Sequence, residues 1–103
     1  METTLDGFYP THPGEVLKDE LEERGISQRK FAESIGMGYS VLYEILNGKR
    51  PVTTNSALMF EAALDIPADS LLKLQMKYNM HTARKDNALV EKLKQIRRVA
   101  AML

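Results

Sequence analysis

Two short segments stand almost back to back in the chain, SQRKFAESIG at residues 27–36 and GYSVLYEILN at residues 38–47. Both read as helices. Ser27 is a residue type that caps a helix start, and Gly36 suits the left-handed residue that stops one. Phe31, Ala32 and Ile35 form the apolar stripe of the first segment; Leu42, Ile45 and Leu46 form that of the second, which Gly48 closes. A link of Gly36, Met37 and Gly38 is too short for a gentle reversal and forces the helices to cross steeply. Ala32 is small where the two must approach. Once that crossing is made, the side chains of Tyr39, Ser40, Tyr43, Glu44 and Asn47 face away from the core.

The flanking sequence supplies more helices. PGEVLKDELEERG (residues 13–25) has Pro13 for a first helical position, Glu15 for a positive N-terminus and Gly25 for a C-terminal cap. Its apolar side is Val16, Leu17, Leu21 and Ile26. TTNSALMFEAALD (residues 53–65) predicts a fourth helix capped by Thr53 or Thr54, and DIPADSLLKLQMKYN (residues 65–79) a fifth opened by the Pro67 turn and Asp69. Residues 79–87, NMHTARKDN, are polar and aperiodic, so a linker is expected there. Leu89, Leu93, Ile96, Ala100 and Leu103 then recur at alternating spacings of a helix face. No segment alternates like a strand. The expected class is all-α: an arm at residues 1–11, a five-helix domain at 12–78, a linker at 79–87 and an amphipathic helix at 88–103.

Composition narrows the chemistry. A chain of 103 residues, 44% apolar, fits one domain with a modest core. It has no cysteine and two distant histidines, His12 and His81. Cysteine-ligated metal, thiolate chemistry and histidine-based triads are thereby set aside, and no enzyme activity, metal or cofactor is expected. His12 is expected at the cap of the first helix and His81 in solvent. No apolar run approaches the roughly 18 residues of a membrane span, and METTLDGFYP lacks the basic and apolar regions of a signal peptide. A cytoplasmic protein without membrane contact is expected.

The formal charge is zero, 14 basic against 14 acidic residues, but it is segregated. Glu15, Asp19, Glu20, Glu22 and Glu23 crowd the first helix. Arg29, Lys30, Lys49 and Arg50 flank the central pair, and Lys92, Lys94, Arg97 and Arg98 lie in the last helix. Local field matters more than the total where phosphates are the target.

The DNA major groove, about 12 Å wide, admits one α-helix and presents donors, acceptors and thymine methyls. The face of Tyr39, Ser40, Tyr43, Glu44 and Asn47 offers matching groups. Gln28, Arg29 and Lys30 at the start of the second helix are placed for one phosphate strand, Lys49 and Arg50 for the other. Glu44 repels phosphates and is useful there as an acceptor from a cytosine amine. The same polar face would equally serve as an ordinary surface or, with its tyrosines, as a protein interface.

HPGEVLKDELEERGISQRKFAESIG, then ILNGKRPVT and LLKLQ, resemble the HigA-type antitoxins, an Xre-like branch with a lambda-repressor-like helix-turn-helix fold. The resemblance spans about residues 12–78. It implies a type II antitoxin that neutralises a messenger-RNA-cleaving toxin and, usually as a homodimer, binds and represses its own operator. It maps a phosphate-contacting glutamine onto Gln28, recognition-helix positions onto Tyr39, Ser40, Val41, Tyr43 and Glu44, and the family's NGKR turn onto Asn47 to Arg50. Glu44 and Met59 stand where relatives often carry arginine, and Leu71 where they often carry tryptophan. The alternatives are a stand-alone repressor of phage type and a protein-interaction module that keeps the fold without DNA. The apolar stripe of the last helix needs a cover, from its own domain, a second copy or a toxin. A basic toxin would suit the acidic first helix.

Overall fold

Local hydrogen-bonding chemistry sets most helix ends in the computed structural model, which describes residues 10–103. The expected arm lies, as far as residue 9, outside the described residues. Six helices follow, α1 (Pro13–Glu23), α2 (Gln28–Ile35), α3 (Tyr39–Leu46), α4 (Thr54–Leu64), α5 (Ala68–Arg84) and α6 (Asn87–Ala100), and no strand occurs among the described residues. The chain is all-α, as its periodicity predicts.

α1 opens on His12, whose Nδ1 accepts the Gly14 N–H at 2.9 Å. It stops where Gly25 takes a φ of 66°, and the Ile26 N–H reaches back to the Leu21 carbonyl at 2.9 Å, which satisfies an otherwise orphaned acceptor. Ser27 caps α2 through the Lys30 N–H, 3.3 Å away. Of the two threonines offered by the sequence, Thr53 is the cap of α4: its Oγ1 accepts from the Ser56 N–H, while the Ser56 hydroxyl accepts from the Thr53 N–H at 2.8 Å. α4 ends at Asp65, the one non-glycine residue with positive φ among the described residues.

The fifth helix is longer than expected. Residues 79–84, read as the start of a linker, continue α5 to Arg84. They lack an apolar period, but they also lack a glycine or proline, and Met80, Ala83 and Arg84 are good helix formers. The break comes at Lys85 and Asp86, where the Asp86 carboxylate accepts the N–H groups of Ala88 and Leu89 and starts α6.

The core lies between α1, α2, α3, α4 and the first turns of α5. Leu17, Leu21, Phe31, Ala32, Leu42, Ile45, Leu46, Phe60, Leu64 and Leu71 are among its buried members. Phe31 stacks on Phe60, centroids 6.3 Å apart, tying α2 to α4. Leu71, where the resemblance expected a tryptophan, is fully buried. Two polar contacts lock the packing. Buried Gln75 accepts the Val52 N–H at 2.8 Å and donates to Asn79, and Arg24 donates to the Leu64 carbonyl at 2.8 Å. α6 touches α5 but contains no buried residue. Of its expected stripe, Leu89 and Leu93 are half-buried, while Ile96, Ala100 and Leu103 are exposed.

Candidate nucleic-acid interface

The α2–α3 crossing is held from beneath. Leu42, Ile45 and Leu46 point inward from α3 and are essentially fully buried. α1 lies so close to α3 that a Cβ on Gly14 would fall 1.9 Å from the Ile45 carbonyl oxygen. Only a residue without a side chain permits that approach. The opposite face of α3 is thereby fixed outward and rigid, as a surface that must fit a groove requires.

On that face Ser40 is exposed and Tyr43 is 45% exposed. Tyr39 is half-buried: its ring lies 6.1 Å from that of Tyr43, and the Arg29 guanidinium sits 4.1 Å above it. That cation–π contact joins the start of α2 to the start of α3, so Arg29 is placed by Tyr39. Val41 is half-buried and packs against the core, leaving only part of its surface outward. The Asn47 side chain folds back, its amide donating to the Tyr43 carbonyl at 2.8 Å, which satisfies a carbonyl of the last turn.

Glu44 and Arg50 meet. The Arg50 Nε and Nη2 both donate to Glu44 Oε1, at 2.9 and 2.7 Å. The pair spans the turn in which Gly48 has a φ of 74°. A spacing of six residues is no helical pairing distance, so the only signal for this pair in the sequence is opposite charge on either side of the Asn47-Gly48-Lys49 turn. Gln28 is half-buried, and Lys30 and Lys49 are exposed. First-turn N–H groups of α2 have no intrahelical acceptor of their own. The cations therefore lie at both ends of a face whose middle carries hydroxyl, aromatic and carboxylate groups.

An acidic groove borders the C-terminal end of α3. Its volume is about 560 Å³, and Glu15, Asp19 and Glu22 line it with Lys18, His12, Asn47 and Tyr78. His12 is buried, with its ring edge-on to Tyr78 at a centroid distance of 4.8 Å. Burial holds its pKa below 6.5, opposed in part by the Glu15 charge. With Nδ1 engaged by the Gly14 N–H, it is the helix cap expected from sequence. No cluster of metal-ligating side chains occurs among the described residues.

Comparison with known proteins places this geometry. The model of the family HTH_3, described as helix-turn-helix, matches residues 17–71. Virulence-associated protein I of Dichelobacter nodosus is 32% identical over 76 residues, 73% of this chain and 70% of that protein. An addiction module antidote protein of a HigA family from Coxiella burnetii superposes with a TM-score of 0.72 at 28% identity, over 85% of this chain and 95% of the other. Pseudomonas aeruginosa antitoxin HigA, solved with the higBA promoter, gives 0.71 at 31% identity, over 84% and 90%.

Proposed function

Since the chain belongs to the helix-turn-helix family HTH_3, we propose that it is an antitoxin that binds its own operator DNA as a homodimer, represses its operon and neutralises a messenger-RNA-cleaving toxin. The observation that carries the DNA reading is the outward face of α3. Tyr39, Ser40, Val41, Tyr43, Glu44 and Asn47 lie along it, held rigid by the buried Leu42, Ile45 and Leu46. Gln28, Arg29 and Lys30 at one end, and Lys49 at the other, are the phosphate contacts. Two such helices, one from each protomer, would read successive major-groove half-sites about one helical turn apart.

The toxin half of the reading draws support from the acidic residues of α1. A nuclease that holds RNA phosphates carries cations, and the exposed carboxylates of α1, Glu22 and Glu23 among them, complement such a surface. No helix is long and apolar enough to cross a membrane among the described residues, and a cytoplasmic location follows from the proposed role.

A second reading, an interaction module without DNA, is favoured by one observation: the Glu44 pairing occupies Arg50, a cation otherwise available to phosphate. A salt titration of binding to the chain's own upstream DNA, against a scrambled fragment, separates the two. The repressor shows a preference and a log–log slope of about −0.9 for each phosphate neutralised. Absence of both at low salt would leave the interaction module. A neighbouring reading frame for a small basic protein marks the antitoxin, as opposed to a stand-alone repressor of phage type.

A further inference from the structure

The contact between Glu44 and Arg50 assigns roles to both residues. We propose that Glu44 reads a cytosine through its Oε2 oxygen, and that Arg50 is a positioning residue for Glu44 and not a phosphate anchor. The inference rests on the DNA-binding reading above and deepens it.

Three features carry it. First, Nε and Nη2 of the Arg50 guanidinium converge on Oε1, at 2.9 and 2.7 Å, and Oε2 accepts no hydrogen bond among the described residues. A side-by-side pairing would use both carboxylate oxygens; this one leaves a single acceptor open. Second, Glu44 lies on the outward face of α3 beside Tyr43, with its side chain 43% exposed, so the open oxygen lies on the surface presented to a groove. Third, the guanidinium offsets the repulsion that a lone carboxylate would meet between two rows of phosphates. It also fixes the Glu44 rotamer before DNA arrives, which is how a reading group gains selectivity.

The base follows from the edge chemistry of the major groove. A carboxylate only accepts. Guanine and thymine present acceptors, and adenine presents its amine beside the N7 acceptor, which faces a carboxylate with a lone pair. Cytosine presents its N4 amine with an acceptor on one side only, the O6 of its paired guanine, whereas the adenine amine is flanked on both sides, by N7 and by the thymine O4. The operator should therefore hold a C·G pair under Glu44 in each half-site.

The test is selection of the full chain against a randomised duplex DNA library, followed by salt titration, for the wild type, Glu44→Ala, Arg50→Lys and Arg50→Ala. The pair is exposed and lies outside the core, so the variants keep the fold. The wild type selects a motif with a fixed cytosine. Glu44→Ala loses about tenfold discrimination at that position alone. Arg50→Lys keeps the charge but not the two converging donors, and relaxes the same position with the salt slope unchanged. Arg50→Ala relaxes it as well. A phosphate anchor would behave otherwise: Arg50→Lys would keep the full motif, and Arg50→Ala would lower the slope by about 0.9 without altering it. That pattern, or a motif indifferent to Glu44→Ala, overturns the inference and leaves the repressor standing. A wild type with neither motif nor salt dependence overturns both.

Discussion

Replacing Gly14 with alanine sets two effects of opposite sign against each other. Gly14 lies in the first turn of α1 with ordinary helical geometry, so propensity and unfolded-state entropy both predict that alanine stabilises, by at most about 1 kcal/mol. The tertiary structure predicts the reverse. The new Cβ would lie 1.9 Å from the Ile45 carbonyl oxygen and 2.9 Å from its carbon, whereas ordinary contact begins at 3.4 Å. α1 and α3 must then separate by about 1.5 Å, the difference between 3.4 and 1.9 Å. The atom in the way is helical backbone and cannot rotate aside. Separation opens the packing of Leu17 and Leu21 against Leu42 and Ile45, all in one buried cluster. Overpacking costs about 1–3 kcal/mol, and a backbone clash belongs at the upper end. With the propensity gain deducted, a net loss of about 2 kcal/mol is expected, out of a total stability of about 5–15 kcal/mol. At about 4–8 °C per kcal/mol for a domain of this size, Tm falls by about 8–16 °C in circular-dichroism melts. The Gly38→Ala control, whose Cβ would meet nothing nearer than Val41 Cγ2 at 3.9 Å, should cost under about 1 kcal/mol. A Gly14→Ala protein that melts at or above the wild-type temperature would refute the close approach, and with it the account of how α3 is held outward.

Gln75→Leu leaves the buried Val52 N–H without its acceptor, so urea denaturation should show a loss of about 1–3 kcal/mol with an unchanged slope; a neutral result would mean that the N–H finds another partner. His12 has a folded-state pKa lowered below 6.5 by burial, so the unfolded chain binds the extra proton more readily. Its contribution is therefore complete above pH 6.5 and is lost as pH falls through the folded-state value. His12→Asn retains a capping acceptor without titrating, and should flatten this part of the stability profile; an unchanged profile would place the titration elsewhere. Tyr39→Ala removes the ring beneath the Arg29 guanidinium, and under the proposed function should weaken binding to specific and scrambled DNA alike, whereas Tyr43→Ala should change sequence preference more than affinity.

Some of the molecule was legible before any coordinates. Helix caps and stops depend on residues three to six positions apart, and Ser27, Gly36, Thr53, Gly25 and Gly48 specify those bonds themselves. The apolar period on α1, α2 and α3 likewise identifies which side of each helix must be buried, because burial at 3.6 residues per turn leaves that trace. All-α character, the packing of α2 on α3 and the outward face of α3 follow from these local rules. The extension of α5 through residues 79–84 was not legible, because those positions make too few apolar contacts to leave a period. Three further features belong to tertiary structure. Nothing near Gly14 in sequence announces the Ile45 carbonyl that comes against it, nor does anything near Gln75 announce the Val52 N–H; Glu44 and Arg50 are six residues apart and meet only through the Gly48 turn. In each case the deciding partner is set by a crossing or turn that brings together residues with no regular spacing in sequence. A chain encodes its local hydrogen bonds and its periodicity directly. That Arg50 meets Glu44, and which carboxylate oxygen it engages, is decided only once the Gly48 turn has folded one onto the other.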